Sequence, residues 1–355
     1  MKRFLFKTSL FFFLIIVLNH FLLLFSNYHW GNPWYSSKIE HLETKLKTKY
    51  DKLPNTYFFG SSRVYRQINP RVFDETHNKI SKIKRESYNL GAPATFCPET
   101  YYLFERFLKS EIANDTDLVF LELMSVNLIS KDLMQKERTT YWQNLSDIRF
   151  VLNSFNNNSD LKFKKKVKGS KDYLISYLYK QFDFNHLKFS LFNNENNMDY
   201  IGSNNDGYFS LDYNLEITKD EIVRKDLIER KNKYLNDSVL LKKRILNLIN
   251  YHSVANNNFD EVNLKRVLNL IDISKSNGIE LIFILPHIVL DENLINLSKK
   301  IPQKNLIDLS NPEKFPELYN DENFFDIGHL NYKGAKLFTE LLVNEYFENK
   351  KSELD

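Results

Sequence analysis

A single cysteine, Cys97, occurs in 355 residues. It excludes an intramolecular disulfide and any metal site built from several thiolates. Glycine and proline are scarce, at nine each, so each one marks a turn, a cap or a close approach of backbone. The eight histidines show no HExxH-type spacing and predict no metal site, and no glycine-rich phosphate loop is present. No cofactor is implied. The net charge of +4 is too small and too dispersed to point to a nucleic-acid partner. No internal repeat is visible.

What remains is a globular composition, 43% hydrophobic and 26% charged, long enough for one large domain or two ordinary ones. The 29 phenylalanines and 20 tyrosines supply a sizeable core. One dense basic run stands out: Lys162, Lys164, Lys165, Lys166, Lys168 and Lys171. It is read as a solvated face or loop, or as a contact for anionic lipid headgroups or an acidic polymer.

At the amino terminus, Lys2, Arg3 and Lys7 precede an apolar stretch from Leu10 to Phe25, interrupted by Asn19 and His20. With Phe4–Phe6 included, a helix rising about 1.5 Å per residue reaches across about 30 Å of hydrocarbon. The positive-inside rule then places the amino terminus in the cytoplasm and the rest of the chain outside. A cleaved signal peptide is the rival reading, but no small-x-small site follows; the next residues are Ser26 to Trp30. Trp30, Trp34 and Tyr35 suit an interfacial aromatic belt. His20 is expected to bond a backbone carbonyl or a partner helix rather than a ligand. Residues 1–28 are thus read as a transmembrane anchor and 29–53 as a stalk or linker, with 36–50 a polar helix or stalk leading away from the membrane.

A β/α pattern follows. Tyr57–Phe59, stopped by Gly60, reads as a strand, as do Ser87–Leu90, Asp117–Leu123, Leu281–Leu285 and Asn305–Leu309. Helices are predicted over Glu99–Ile112 behind Pro98, over Asn263–Asn277 with Gly278 at its end, and over Gly334–Phe347. Alternating elements of these lengths imply an α/β fold with a parallel sheet between helices, and a ligand site beyond the carboxyl ends of the strands. The core parts are 54–134 and 263–355. Residues 135–262, rich in Asn, Lys, Tyr and Leu, read as an insertion, mainly helical, with Val239–Tyr251 its clearest helix.

Two short motifs lie at the predicted sheet edge. Gly60-Ser61-Ser62-Arg63 follows the first strand, so a serine there faces the cleft; ordinary turn chemistry with a helix-capping serine is the competing explanation. Asp326-Ile327-Gly328-His329 places a carboxylate and an imidazole within one turn, directly before the last helix. Asp74/His77 and Asp183/His186 match the same spacing, but neither follows a late strand and precedes a helix that packs back on the sheet. His287, after the fourth strand, is either a cleft residue or a structural one. Arg63 is a weak candidate for an anionic substrate group, or one half of a surface ion pair.

These residues resemble the SGNH/GDSL hydrolase superfamily, a flavodoxin-like three-layer α/β sandwich. Phe59-Gly60-Ser61-Ser62-Arg63 looks like its first block, with Ser61 at the usual aspartate position. Asn89-Leu90-Gly91 resembles the second block, and Phe324 to Asn331 is similar to the last. The resemblance implies Ser62 as nucleophile, His329 as base, Asp326 as its partner and the Gly91 amide as an oxyanion donor. It departs at the third block: Leu121 to Asn127 lacks the Gly-x-Asn-Asp order, leaving Ser125 or Asn127 as weak substitutes for the oxyanion asparagine. Membrane-anchored members of the superfamily imply transfer or removal of an acyl group, an acetyl above all, on an envelope glycan beside a membrane-bound O-acyltransferase. The rivals are a glycan or small-ester esterase, and a non-catalytic assembly or binding subunit that keeps the fold.

Overall fold

A computed structural model describes residues 1–25, 31–48, 53–81, 83–158, 161–184, 198–236, 239–254, 258–289 and 291–352. Its centre is a parallel sheet of five strands: β1 (Thr56–Phe59), β2 (Ser87–Asn89), β3 (Leu118–Glu122), β4 (Glu280–Leu285) and β5 (Leu306–Asp308). The order is β2-β1-β3-β4-β5, that of flavodoxin-like doubly wound sheets. The strands are short apolar runs, buried along nearly their whole length, as a sheet covered on both faces requires.

The two-residue period of β1 shows both covering layers. Tyr57 and Phe59 point to one face and meet Phe107 of the helix Glu99–Phe107, ring centroids 4.8 and 5.1 Å apart. Phe58 points to the other face and meets Phe73 of the helix Pro70–Ser81 at 5.0 Å. On that same face Phe120 of β3 touches Tyr346 of the long last helix, Tyr332–Ser352. Each aromatic therefore adds its burial, and an edge or stacking contact, to one wall of the core.

The five strands fall where the alternation of apolar runs and turn residues put them. The helix expected to reach Ile112 stops at Phe107 and resumes as a 3-10 turn, Glu111–Asp115. Ser110 Oγ donates to the Phe107 carbonyl at 2.7 Å, a side-chain bond that competes with continuing the helix. Gly278 takes φ +74° beyond the helix Glu261–Ser276, as a helix-ending glycine does.

The helix expected within 36–50 forms, but over the described residues 31–48 it is not a free stalk. The helix Pro33–Thr48 starts at Asn32, whose Oδ1 accepts the Tyr35 amide at 3.1 Å, and lays Tyr35, Ile39 and Leu42 into the main core. Tyr35 is fully buried, its hydroxyl donating to the Leu103 carbonyl at 3.3 Å; it is a core residue, not part of an aromatic belt. Trp34 packs on Tyr200, with the Arg138 guanidinium over its ring. Trp30 lies outside the described residues. Lys38, also on this helix, is fully buried: its Nζ donates to the Gly91 carbonyl at 2.6 Å and sits 4.1 Å from the centre of the Tyr65 ring.

Ahead of this helix runs Lys2–Leu23, one helix of 22 residues that is long and apolar enough to cross a membrane. His20 Nδ1 lies 3.0 Å from the Ile16 carbonyl, a turn below. The inserted segment is helical in its described parts: Leu145–Asn157, Phe163–Gln181, Leu211–Ile217, Glu221–Asn236 and Val239–Ser253. After β5 a short antiparallel ribbon forms, β6 (Phe324–Asp326) against β7 (His329–Leu330).

Candidate active site

The turn after β1 presents two adjacent serines with different duties. Ser61 caps the short helix Ser62–Tyr65: its Oγ accepts the Arg63 amide at 3.3 Å. Ser62, at the first helical position, instead has its Oγ 2.9 Å from His329 Nε2. Capping and imidazole-facing roles are thus both present, on neighbouring residues.

The turn is held by a group that sequence reasoning did not single out. Glu122, the last residue of β3, is fully buried; its Oε2 accepts the Ser61 amide at 2.6 Å and its Oε1 pairs with Arg63 at 2.9 Å. A carboxylate ending an otherwise apolar strand was the available signal. Gly60 is required by this packing: a Cβ there would lie 2.3 Å from Val64 Cγ2 and 2.6 Å from Glu122 Oε2. β1 and β3 flank the point where strand order reverses, so Ser62 and Glu122 stand at the crevice typical of ligand sites in open parallel sheets.

The ribbon β6–β7 brings the second motif to the serine. Asp326 ends β6 and His329 opens β7, so the reversal between them sets carboxylate beside imidazole. Asp326 Oδ1 accepts the Gly328 amide at 2.8 Å and lies 2.9 Å from His329 Nδ1. Burial alone would raise the Asp326 carboxyl. The His329 hydrogen bond and charge, the Gly328 amide and the Arg230 guanidinium outweigh it, and hold the group well below the usual carboxylate range. An ionised carboxylate only accepts, so Nδ1 of His329 carries the proton and Nε2 turns its lone pair to the Ser62 hydroxyl.

Two arginines of the inserted segment complete the wall. Arg230 Nη2 pairs with Asp326 Oδ2 and lies 3.4 Å from His329 Nδ1. Arg244 Nη1 donates to the Ile327 carbonyl at 2.9 Å. Neither had a signal in the sequence, because no spacing links an insertion helix to a motif near the carboxyl terminus.

His287 is a buried neighbour. It packs between Phe324 and Phe338, and neither ring nitrogen has a hydrogen-bond partner among the described residues. Burial first, then the charges of Arg63 and His329, lower its pKa to about 3. It is a neutral, wholly enclosed side chain rather than a lining of the cleft.

Of the three expected oxyanion groups, two are engaged elsewhere and the third is open to solvent. The Gly91 amide donates to Asn89 Oδ1 at 2.9 Å; Asn89 Nδ2 in turn donates to the Val64 and Ile68 carbonyls, so Gly91 serves to pin the helical segment behind Ser62. Ser125 Oγ donates to Asp291, which also caps the helix Glu292–Ser298. Asn127 is exposed, with its carbonyl accepting the Tyr173 hydroxyl at 2.8 Å. Arg63, read as a substrate-binding candidate, is committed to Glu122 and donates to the Ile288 carbonyl. The Ser62 amide has no acceptor among the described residues and is a main-chain donor left free beside the Ser62 hydroxyl.

The rival carboxylate–histidine pair is structural: Asp74 Oδ2 accepts the Ser87 amide, while His77 bonds Ser81 and stacks on Phe73. His186 lies outside the described residues. Cys97 is buried and free, and among the described residues no group of three His, Cys, Asp or Glu side chains is gathered to hold a metal ion. Compared with known proteins, the chain matches no family model and no curated protein.

Proposed function

We propose that the protein is a membrane-anchored serine acyltransferase or esterase of the SGNH type, its catalytic domain outside the cytoplasm, acting on O-acyl groups of cell-envelope glycans, acetyl above all. The observation that carries the chemistry is the chain of contacts from Ser62 Oγ to His329 Nε2 and from His329 Nδ1 to Asp326, each 2.9 Å. In that chain Ser62 attacks the acyl carbon while His329 takes its proton. His329 then returns the proton to the leaving oxygen, and a sugar hydroxyl or water releases the acyl group from Ser62.

The thin oxyanion provision shapes the substrate. Loss of one donor costs roughly 10²–10³ in turnover, so a site resting on the Ser62 amide favours an acyl donor with a good leaving group over an unactivated ester. That supports transfer from an activated donor, with a membrane-bound O-acyltransferase as the partner that supplies it. The same engaged donors favour a second reading, a non-catalytic assembly or binding subunit of such a system.

A fluorophosphonate probe separates the two. The full-length protein is expected to be labelled, labelling to vanish in Ser62→Ala and His329→Ala, and to persist in Ser61→Ala. A folded wild-type protein that takes no label would overturn the enzyme reading in favour of the assembly subunit.

A further inference from the structure

The lysine-rich run forms the first half of the helix Phe163–Gln181, and the second half of that helix has a surface ill-suited to water. From 172 to 182 every exposed residue is apolar or aromatic: Leu174, Ile175, Leu178, Tyr179 and Phe182. Of the polar and charged residues of this half, Asp172, Ser176 and Gln181 are buried, and half-buried Lys180 turns its Nζ inward to donate to the Tyr141 and Gln143 carbonyls. A groove of about 500 Å³ runs along the outer face, walled by Phe163, Val167, Leu174 and Leu178 with Lys166 and Lys171 beside them.

The location of this surface identifies its occupant. The carboxyl end of the helix packs against Lys2–Leu23, the helix apolar enough to cross a membrane. Asn19 Nδ2 donates to the carbonyls of Lys180 and Gln181 at 3.1 and 2.9 Å, and Phe12 meets Phe182 edge to face at 6.0 Å. Asn19 is fully buried by this contact, so the one amide within the apolar stretch spends its donors on a helix end. The exposed apolar half therefore continues the apolar surface of the first helix. At the far end Lys164, Lys165, Lys168 and Lys171 are exposed, and none is ion-paired among the described residues. Apolar residues beside a span and free lysines one to three turns away match the layers of a leaflet, hydrocarbon and then anionic headgroup.

We infer that Phe163–Gln181 is a membrane-interface helix: its carboxyl half inserts into one leaflet beside the first helix, and its amino half holds anionic lipid headgroups. The inference rests on Lys2–Leu23 crossing a membrane. It adds a second membrane contact that fixes the tilt of the catalytic domain.

The test uses the full-length protein, reconstituted in vesicles of phosphatidylcholine alone or of equimolar phosphatidylcholine and phosphatidylglycerol. Nitroxide labels are placed through Leu178→Cys and Lys168→Cys, with Phe13→Cys as reference for the span and Glu229→Cys for solvent; the buried Cys97 stays. The label at 178 is expected to favour oxygen over a water-soluble nickel chelate as the label at 13 does, inverting the order seen at 229. The label at 168 is expected to lose mobility in the phosphatidylglycerol vesicles and regain it in high salt. A label at 178 that behaves like 229 while 13 remains in lipid overturns the interface helix and leaves the span intact. The same result in vesicles, with 178 shielded only in native membranes, also overturns it and assigns the face to a protein partner. A label at 13 open to the nickel chelate overturns the span itself.

Discussion

Arg230 and His329 divide one carboxylate between them. Asp326 gives Oδ1 to the His329 ring at 2.9 Å and Oδ2 to the Arg230 guanidinium. The imidazole is thus oriented by a carboxylate that is itself oriented from the far side. Hydrogen bonds to charged groups contribute about 1.5–3 kcal/mol. Arg230→Ala is therefore expected to slow fluorophosphonate labelling by roughly 10- to 100-fold, with unchanged circular dichroism. Arg230→Lys restores the charge but not the planar fork and is expected to recover part of the rate. A rate unchanged in Arg230→Ala would show that the arginine only closes the surface.

Glu122 is expected to matter through the turn rather than through the reacting atoms. Removing one member of a buried pair leaves the other uncompensated, at a cost of about 3–5 kcal/mol. Arg63 is partly solvated, with 26% of its side chain exposed, so the low end of that range applies to Glu122→Ala. Denaturant titration is the measurement. The double change Glu122→Gln with Arg63→Met keeps an acceptor for the Ser61 amide and removes the orphaned charge, so it is expected to recover much of the stability; a double variant no more stable than Glu122→Ala would rule out both the amide contact and the uncompensated charge as the source of the loss.

Gly60→Ala is expected to lower the melting temperature and abolish labelling of Ser62, because the added carbon meets both Val64 and Glu122. Overpacking of this kind typically costs about 1–3 kcal/mol. Adding Val64→Ala removes the closer clash and should recover stability. The contact with Glu122 remains, so labelling should stay low; recovered labelling would locate the strain at Val64 alone.

His287 sets a pH dependence with a definite sign. Its folded pKa of about 3 lies below the ordinary value of 6.5, so the unfolded chain binds the proton more readily. The stability this group contributes is full above about pH 6.5 and is lost as pH falls toward about 3. His287→Leu is expected to flatten the fall in unfolding free energy over that window, followed by urea titration at several pH values. A slope identical to wild type would mean that another group titrates there.

The sheet was legible because its strands announce themselves twice, as apolar runs and by what stops them: Gly60 after Phe59, Gly91 after Leu90, Pro286 after Leu285. The serine and the Asp326/His329 pair were legible because each stands at a sequence-local turn. The reading failed where the governing contact is remote in sequence. Residues 36–48 look polar because the inward stripe Tyr35, Ile39, Leu42 is narrow and shares its face with a lysine, and only the Gly91 carbonyl and the Tyr65 ring make Lys38 a core residue. Gly91 was expected to offer its amide to substrate; the side chain of Asn89, two residues back, takes it first. Arg230 depends on a helix packing against a ribbon about a hundred residues away in the chain, which no local pattern encodes.

The burial of the helix Pro33–Thr48 limits how far the α/β domain can stand off from the helix Lys2–Leu23. A free stalk over 29–53 would have let the Ser62 site swing widely about that helix. With Tyr35 locked in the core, the leash between Leu23 and Pro33 is at most about 35 Å even at full extension. On the proposed function, with Lys2–Leu23 as the span, the Ser62 site stands at a set height above the bilayer, and its acceptors must come to that height.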